Sequence, residues 1–316
     1  AYIFGRRSQL GFWHEAPAVN TAALRELSSG KAPASYYMTF RDKADYAGPF
    51  DEAGVPLLEY RGNIGRQHNP IAIAQYALAW MNRQIEGGGE ACERRWRPSL
   101  EWLTRNLEEN ASGVPVWLHR FDWPYRQTLK APWYSGLAQG QGVSALLRGW
   151  RLGADRRYRD AAERAFLSLQ RQIGEGGVLF TDEAGDPWIE EYIVEPPSHI
   201  LNGFLWALWG VWDMARIGGS EAAAALFREC TRTVARNVGR YDTGYWSLYE
   251  LSALRLPMLA SPFYHSLHIV QLEATTRMAP GLGFDTTAGR WRDYARSRVN
   301  RSRALALKGL FKVLYY

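Results

Sequence analysis

Cysteine is nearly missing from this chain. Cys92 and Cys230 are the only two in 316 residues, too few for a disulfide framework and too far apart for a redox motif. Both fall in expected helices and read as small buried apolar groups. No run approaches the roughly 20 apolar residues that a membrane-spanning helix needs. The opening Ala1-Tyr-Ile-Phe-Gly-Arg-Arg7 lacks the charged-then-apolar layout of a signal peptide. Without an initial Met, that leaves two expectations: cytoplasm for an intact bacterial chain, the secretory pathway (Golgi lumen) for a trimmed animal one. There is no HExxH and no clustered ligand set beyond His265 and His268, so no metal is expected. None of the usual nucleic-acid modules is present. Acidic residues are also the minority: 38 basic against 32 acidic gives +6, and such a surface attracts polyanions. Aromatics are abundant, with 14 Trp, 17 Tyr and 12 Phe beside many arginines, which favours an acidic carbohydrate over nucleic acid.

An apolar content of 47% supports a sizeable core. Residues 1–65 lack long periodicity and are turn-rich, with Val55-Pro-Leu-Leu-Glu-Tyr60 as a short strand; they are expected to form an extended arm on the body. Residues 66–316 are expected to form one helical domain. Pro70 to Arg83 is a helix with Pro at its start, followed by a helical stretch from about Glu90 to Asn110 that Pro98 should break or restart. Val114 to Phe121 and Gly176 to Thr181 look like strands. Helix pairs follow at Ala138–Leu152 with Asp155–Ile173, His199–Arg216 with Ser220–Asn237, and Phe263–Met278 with Thr286–Arg303. Ser198 can cap the third pair. Hairpins thus recur with strands and loops between pairs. This predicts a mainly α fold, an incomplete α/α toroid of about four helical hairpins.

The segments between hairpins carry the polar chemistry. Trp133-Tyr-Ser-Gly-Leu-Ala-Gln-Gly-Gln141 opens a helix where backbone N–H groups and amides hold hydroxyls or anions, or where the glycines merely allow close packing. Glu190-Glu-Tyr192 puts two carboxylates and a phenol at the mouth of a packed helix; the stretch reads either as a rigid site or as a loop of solvated glutamates. Tyr249 stands beside Glu250, and Tyr264, His268 and Gln271 share a helical face. Most arginines between Arg290 and Arg303 read as a solvated face.

Together these blocks resemble the C-terminal catalytic domain of the D-glucuronyl C5-epimerases, which convert glucuronate to iduronate in heparan sulfate and heparosan. The resemblance rests on Asn69–Leu78, Trp133–Gln141, Glu190–Tyr192, Ile200-Leu-Asn-Gly-Phe204, Tyr241-Asp-Thr-Gly244, Leu248-Tyr-Glu-Leu251 and Tyr264-His-Ser-Leu-His-Ile-Val-Gln-Leu272. These lie in the family's order over about residues 69–302 and are specific jointly, not singly. It implies a cofactor-independent isomerase with Glu191, Tyr192, Tyr249 and Tyr264 as catalytic residues. Tyr264 and Glu191 would face opposite sides of C5, with Tyr249 assisting. Asn202, Tyr134, Gln139, Gln141, His265 and His268 would bind sugar, and a homodimer is implied, for which the apolar tail Leu305–Tyr316 is available, though that tail serves equally to close the toroid. Two departures bear on the glycan. The positions following Tyr249, an acidic residue, Leu, Arg and His in vertebrate members, are here Glu250, Leu251, Ser252 and Ala253, so Arg255 is the candidate replacement cation. The proline and threonines after Glu-Glu-Tyr become Ile193, Val194 and Glu195.

The implied chemistry is coherent. A uronate's C5 hydrogen is α to its carboxylate, so its removal gives an enolate-like intermediate, and protonation from the opposite face inverts the carbon. That needs a base, an acid and a partner for the carboxylate. Tyrosines suit this if nearby cations or hydrogen bonds lower their pKa. The rivals are a uronate lyase sharing the first step, a toroid hydrolase using two carboxylates, and an acidic-glycan-binding protein without catalysis.

Overall fold

The computed structural model describes residues 12–14, 16–153, 155–252 and 254–315. The first part of the expected arm, and Ala253 after the Tyr249 block, lie outside them.

Helix α1 (Thr21–Ser28) lies in the arm, and the body is built from eight helices in four antiparallel hairpins. These are α2 (Pro70–Arg83) with α3 (Glu93–Arg105), α4 (Gly136–Gly153) with α5 (Arg156–Gln170), α6 (Leu201–Arg216) with α7 (Glu221–Asn237), and α8 (Pro262–Met278) with α9 (Phe284–Arg296). A last helix, α10 (Arg298–Tyr315), follows a break at Ser297.

The two helices of each hairpin differ as their sequences require. The first is apolar or small almost all round and is buried: α4 buries everything from Gly136 to Gly149. The second is amphipathic: α3 buries only Trp96, Ser99, Leu100 and Leu103. Helices α2, α4, α6 and α8 therefore form an inner layer packed in sequence order, with their partners outside. Gly140 and Gly210 let α4 and α6 touch backbone to backbone, since a Cβ at either would collide with the other helix. This is the incomplete α/α toroid.

The inner helices run in one direction. Gly140 meets Ala207 near the start of α4 and α6, while Arg148 meets Asp213 near their ends. Likewise Asn202 O accepts from Gln271 Nε2, and one to two turns further on Trp209 Nε1 donates to Thr275 Oγ1. All four N-termini thus emerge at one end.

The stretch of the arm around residues 30–41 occupies the other end, whereas His14 lies 5.8 Å from the Tyr264 ring and Tyr60 Oη accepts from Asn69 at the start of α2. Tyr36, Tyr37, Met38 and Phe40 join the main core, and Asn82 binds Tyr36 N and Met38 O. Tyr37 Oη donates to Asp213 at 2.5 Å, the same carboxylate that pairs with buried Arg148. Arginines at the ends of three inner helices donate to arm carbonyls: Arg83 to Arg41, Arg151 to Ala32 and Arg216 to Gly30. The strands are short hairpins: β1 (Leu57–Tyr60) with β2 (Gly65–His68), β3 (Glu108–Glu109) with β4 (Pro115–Val116), and β5 (Leu179–Thr181) with β6 (Pro187–Ile189).

Several local expectations change. Pro98 sits inside α3 without breaking it. Its lost hydrogen bond and ring clash cost about 3 kcal/mol, and burying Trp96, Leu100 and Leu103 at about 1.5–3 kcal/mol each outweighs that. Of the strand expected over 114–121, only Pro115–Val116 forms a ladder. Ser198 does not cap α6, which starts at Leu201 without a side-chain cap. Instead Glu190 Oε2 accepts from the backbone N–H groups of Ser198 and His199 at 3.3 and 3.0 Å. Cys92 and Cys230 are free and buried. No described helix is long and apolar enough to cross a membrane, and no described group of three or more His, Cys, Asp or Glu is placed to hold a metal.

Candidate active site

The two glutamates after β6 do different work. Glu190 is a structural clamp: besides the two backbone donors it holds His199 Nδ1 at 2.5 Å, with His199 stacked on Trp188 at 4.1 Å. Glu191 turns the other way and lies over the first turn of α6. Gly203 makes room for it, because a Cβ there would strike the carboxylate. Asn202 Nδ2 reaches Glu191 Oε2 at 3.4 Å. With only 5% of Glu191 exposed, desolvation raises its pKa to about 8, and the charges of Glu250 and Glu190 add to the rise.

The start of α6 also positions Tyr249. Leu201 N donates to Tyr249 O and Leu251 N to Ser198 O, so the 249–251 segment is stitched along the helix entry. Tyr264 comes from the first turn of α8, where Ser261 Oγ accepts from its N–H. The rings of Tyr249 and Tyr264 meet edge to face at 4.8 Å. Burial pushes Tyr192 and Tyr249 well above the usual phenol value of 10.0, and the Glu191 charge pushes further. The lowering expected for a catalytic tyrosine is thus reversed at these two: desolvation and a nearby carboxylate prevail over any cation.

Glu191, Tyr192, Tyr249 and Tyr264 therefore converge, with Asn202 beside them. Asn202 Oδ1 and Gln271 Oε1 are buried and lack hydrogen-bond partners among the described residues, leaving acceptors for a ligand's hydroxyls. The other expected sugar contacts are placed in structural duties. Gln139 spends both ends of its amide on the backbone of Trp117. Gln141 is fully buried and accepts from Gln75. Tyr134 packs on the main core. His265 is held between Ser247 and Trp291 O and stacked on Trp246 at 3.8 Å; His268 leans on Ser247 Oγ at 3.0 Å. Burial holds both imidazoles neutral, His265 down to about 4. Arg255 is exposed on the loop after Tyr249.

Three participants escaped the sequence reading. Tyr125 donates to Glu250 and lies 4.8 Å from the Tyr192 ring. Arg126 Nε sits 3.7 Å from Glu250 Oε1 and its guanidinium lies over the Tyr125 ring, which puts a cation at the edge of the group. His119 is buried with neither nitrogen bonded among the described residues, and stacks at 3.9 Å on Trp133, which meets Tyr192 edge-on at 5.7 Å. Tyr125 and Arg126 lie in a loop without periodicity and His119 in the strand expected over 114–121, so only the Trp133 block pointed there. Lys308 of α10 adds an ammonium 5.8 Å from the Tyr249 ring centre.

Comparison with known proteins bears on the same residues. The family described as D-glucuronyl C5-epimerase C-terminus matches residues 114–293. A D-glucuronyl C5-epimerase of Caenorhabditis elegans is 29% identical over 212 residues, 62% of this chain and 34% of that protein. An uncharacterized protein of Methanocaldococcus jannaschii is 26% identical over 172 residues, 54% of each. The chain thus spans between a third and about half of these relatives. Among solved structures, an unsaturated glucuronyl hydrolase from Bacillus sp. GL1 has a TM-score of 0.45 at 14% identity, covering 74% of this chain and 61% of that one. A polysaccharide lyase has a TM-score of 0.47 at 12% identity, covering 78% and 65%. The family match takes in the loop of Tyr125 and Arg126, the Glu191 block, Tyr249 and Tyr264, and it extends over more than half of the 316 residues. The chain therefore belongs to the D-glucuronyl C5-epimerase family, with the family's C-terminal region at residues 114–293.

Proposed function

We propose that the protein is a uronate C5-epimerase that converts glucuronate to iduronate within a heparosan-like acidic glycan. The observation that carries this reading is the buried Glu191 carboxyl beside the Tyr249–Tyr264 pair. A carboxylate whose pKa is raised to about 8 is a far better base than an ordinary one and is still ionised in part near neutrality. Glu191 removes the C5 proton. A neutral phenol, Tyr264 with Tyr249 behind it, returns a proton to the opposite face. Arg126 meets the uronate carboxylate, whose developing enolate needs a cation, and takes the part once expected of Arg255. Asn202 and Gln271 accept from sugar hydroxyls. No covalent intermediate or cofactor enters this scheme.

The test is incubation with heparosan, native and N-sulfated, in D2O, followed by NMR of the uronates. Deuterium at C5, new iduronate signals and an intact chain are the expected result. Glu191→Gln and Tyr264→Phe should each lower exchange by about 10²–10⁴-fold, the range for loss of a positioned acid or base, while circular dichroism stays unchanged. An unsaturated product would make the protein a lyase; absence of exchange on both glycans would remove the epimerase reading. The rate should climb with pH through about 8 as Glu191 ionises, and this limb should vanish in Glu191→Gln.

A further inference from the structure

Helix α10 lies beyond the family region, which ends at residue 293, yet it reaches the segment that carries Tyr249. Ala304, Leu307, Lys308 and Phe311 fall at helical spacing on one face. Ala304 and Leu307 pack with Trp246, Leu248 and Leu259, and the Arg303 guanidinium lies 3.9 Å from the centre of the Tyr245 ring. The surface so covered is the irregular hairpin of residues 245–249 and 258–260. Leu248 bridges Leu259, Tyr249 N donates to Met258 O at 2.7 Å, and Trp246 Nε1 donates to Ala260 O at 3.0 Å.

Lys308 is the charged member of that face. Half-buried, it donates from Nζ to Leu259 O at 2.7 Å, with the ammonium 5.8 Å from the Tyr249 ring centre and 5.9 Å from that of Phe311. Leu259 is the bridge partner of Leu248, the residue before Tyr249, so one backbone pairing fixes both the cation and the ring. The titratable groups that act on Tyr249 from other elements are Glu191, Tyr192, Tyr125 and Tyr264, each of which is negative when charged. Glu250 beside it is held by Tyr125 and Arg126, and His14 of the arm meets Tyr264 from its own side. Lys308 places a positive charge among them.

The proposed reaction needs such a charge. As Glu191 takes the C5 proton, the C5–H bond breaks; as Tyr264 gives its hydroxyl proton to the opposite face, a new C5–H bond forms and a phenolate remains against Tyr249. Water then returns a proton to the phenolate and accepts one from Glu191, which closes the cycle without net change. Burial and the Glu191 carboxylate both oppose negative charge on these phenols, and a fixed cation at the ring offsets that cost. Resting on the epimerase reading above, we infer that Lys308 is a positioning residue for the reaction: held on Leu259 O over the Tyr249 ring, its ammonium stabilises the negative charge that the Tyr249–Tyr264 pair takes on when a proton passes to C5. The helix outside the family region is thereby part of the catalytic unit.

The experiment measures kcat and KM for C5 exchange on heparosan in D2O for Lys308→Met, Lys308→Gln and Lys308→Arg, with circular dichroism to confirm folding. Gln keeps a donor for Leu259 O but no charge, so it separates the ammonium from the hydrogen bond. Met and Gln should each lower kcat by about 3–30-fold, the range that a cation–π contact spans from exposed to desolvated settings, and leave KM unchanged; Arg should restore most of the rate. In a Tyr249→Phe background Lys308→Gln should cost little more, because the two act through one path. A wild-type kcat in Lys308→Gln overturns the inference, and so does a raised KM with kcat unmoved, which would make Lys308 a lysine that only attracts the glycan. Placement is read without activity from the Lys308 side-chain NMR resonances, which the Tyr249 ring current should displace and Tyr249→Leu should move. If they move in that variant but neither native nor N-sulfated heparosan shows exchange, the epimerase reading fails while the placement of Lys308 stands. If exchange proceeds and they do not move, the inference about Lys308 fails and the epimerase stands.

Discussion

At the residue scale, the group depends on where one carboxylate is held. Gly203 is the enabling position, because any Cβ there displaces Glu191. Gly203→Ala should cost about 1–3 kcal/mol in urea unfolding, the usual scale of overpacking, and lower C5 exchange by at least about tenfold. The raised pKa of Glu191 also makes a stability statement. Between the ordinary carboxyl value of 4.5 and about 8 the native state holds a proton that the unfolded chain has lost. Wild-type stability should therefore be full below about pH 4.5 and decline as pH rises through 8. Glu191→Gln should remove that slope and be the more stable protein at pH 9, by a few kcal/mol at about 1.4 kcal/mol per pKa unit. Urea midpoints at pH 5 and pH 9 check this, and parallel slopes in both proteins would contradict it. Glu191, Tyr192, Tyr249 and Tyr264 were legible because each stands in a recognisable block. Tyr125 and Arg126 were not, since nothing local to them announces contacts made across about 65–125 residues.

At the element scale, the helices were largely readable, because apolar spacing and Pro70 at a first position are local signals; the structure adds Asn69, Asp155 and Ser220 as N-caps and Pro262 at a first position. Inner and outer helices differ in composition as well: one class is apolar all round, the other striped. The strands were overextended, since a run of β-formers makes a ladder only where a partner is supplied, and the loop after β4 pairs instead through single bridges such as His119 with Trp133. The arm illustrates an element specified by its anchor points. Asp213 serves Arg148 and Tyr37 together, entirely out of water. Asp213→Asn leaves the guanidinium buried without its counter-charge and should cost about 3–5 kcal/mol, measured by denaturant unfolding. Tyr37→Phe, which removes one donor from the same carboxylate, should cost about 1–3 kcal/mol.

At the scale of the whole molecule, four inner helices point their N-termini at one end and the arm residues around 30–41 cover the other. The positive ends of the helix dipoles and the surplus of +6 both favour a polyanion at the open end. Affinity for heparosan should accordingly fall as salt rises from about 50 to 200 mM, as counterions screen the field; calorimetric titration at the two salts is the check, and a flat response would argue against electrostatic capture. The sequence by itself determined the helical hairpins, the polar blocks between them and the buried free thiols, because caps, periodicity and composition act over a few residues. Only the tertiary structure decided that Glu190 clamps a backbone while Glu191 faces the tyrosines, that Gln139 and His265 serve the core, and that Arg126 lies beside Glu250. Those assignments depend on which side chains meet once the inner helices are packed together, and on how much water that packing excludes.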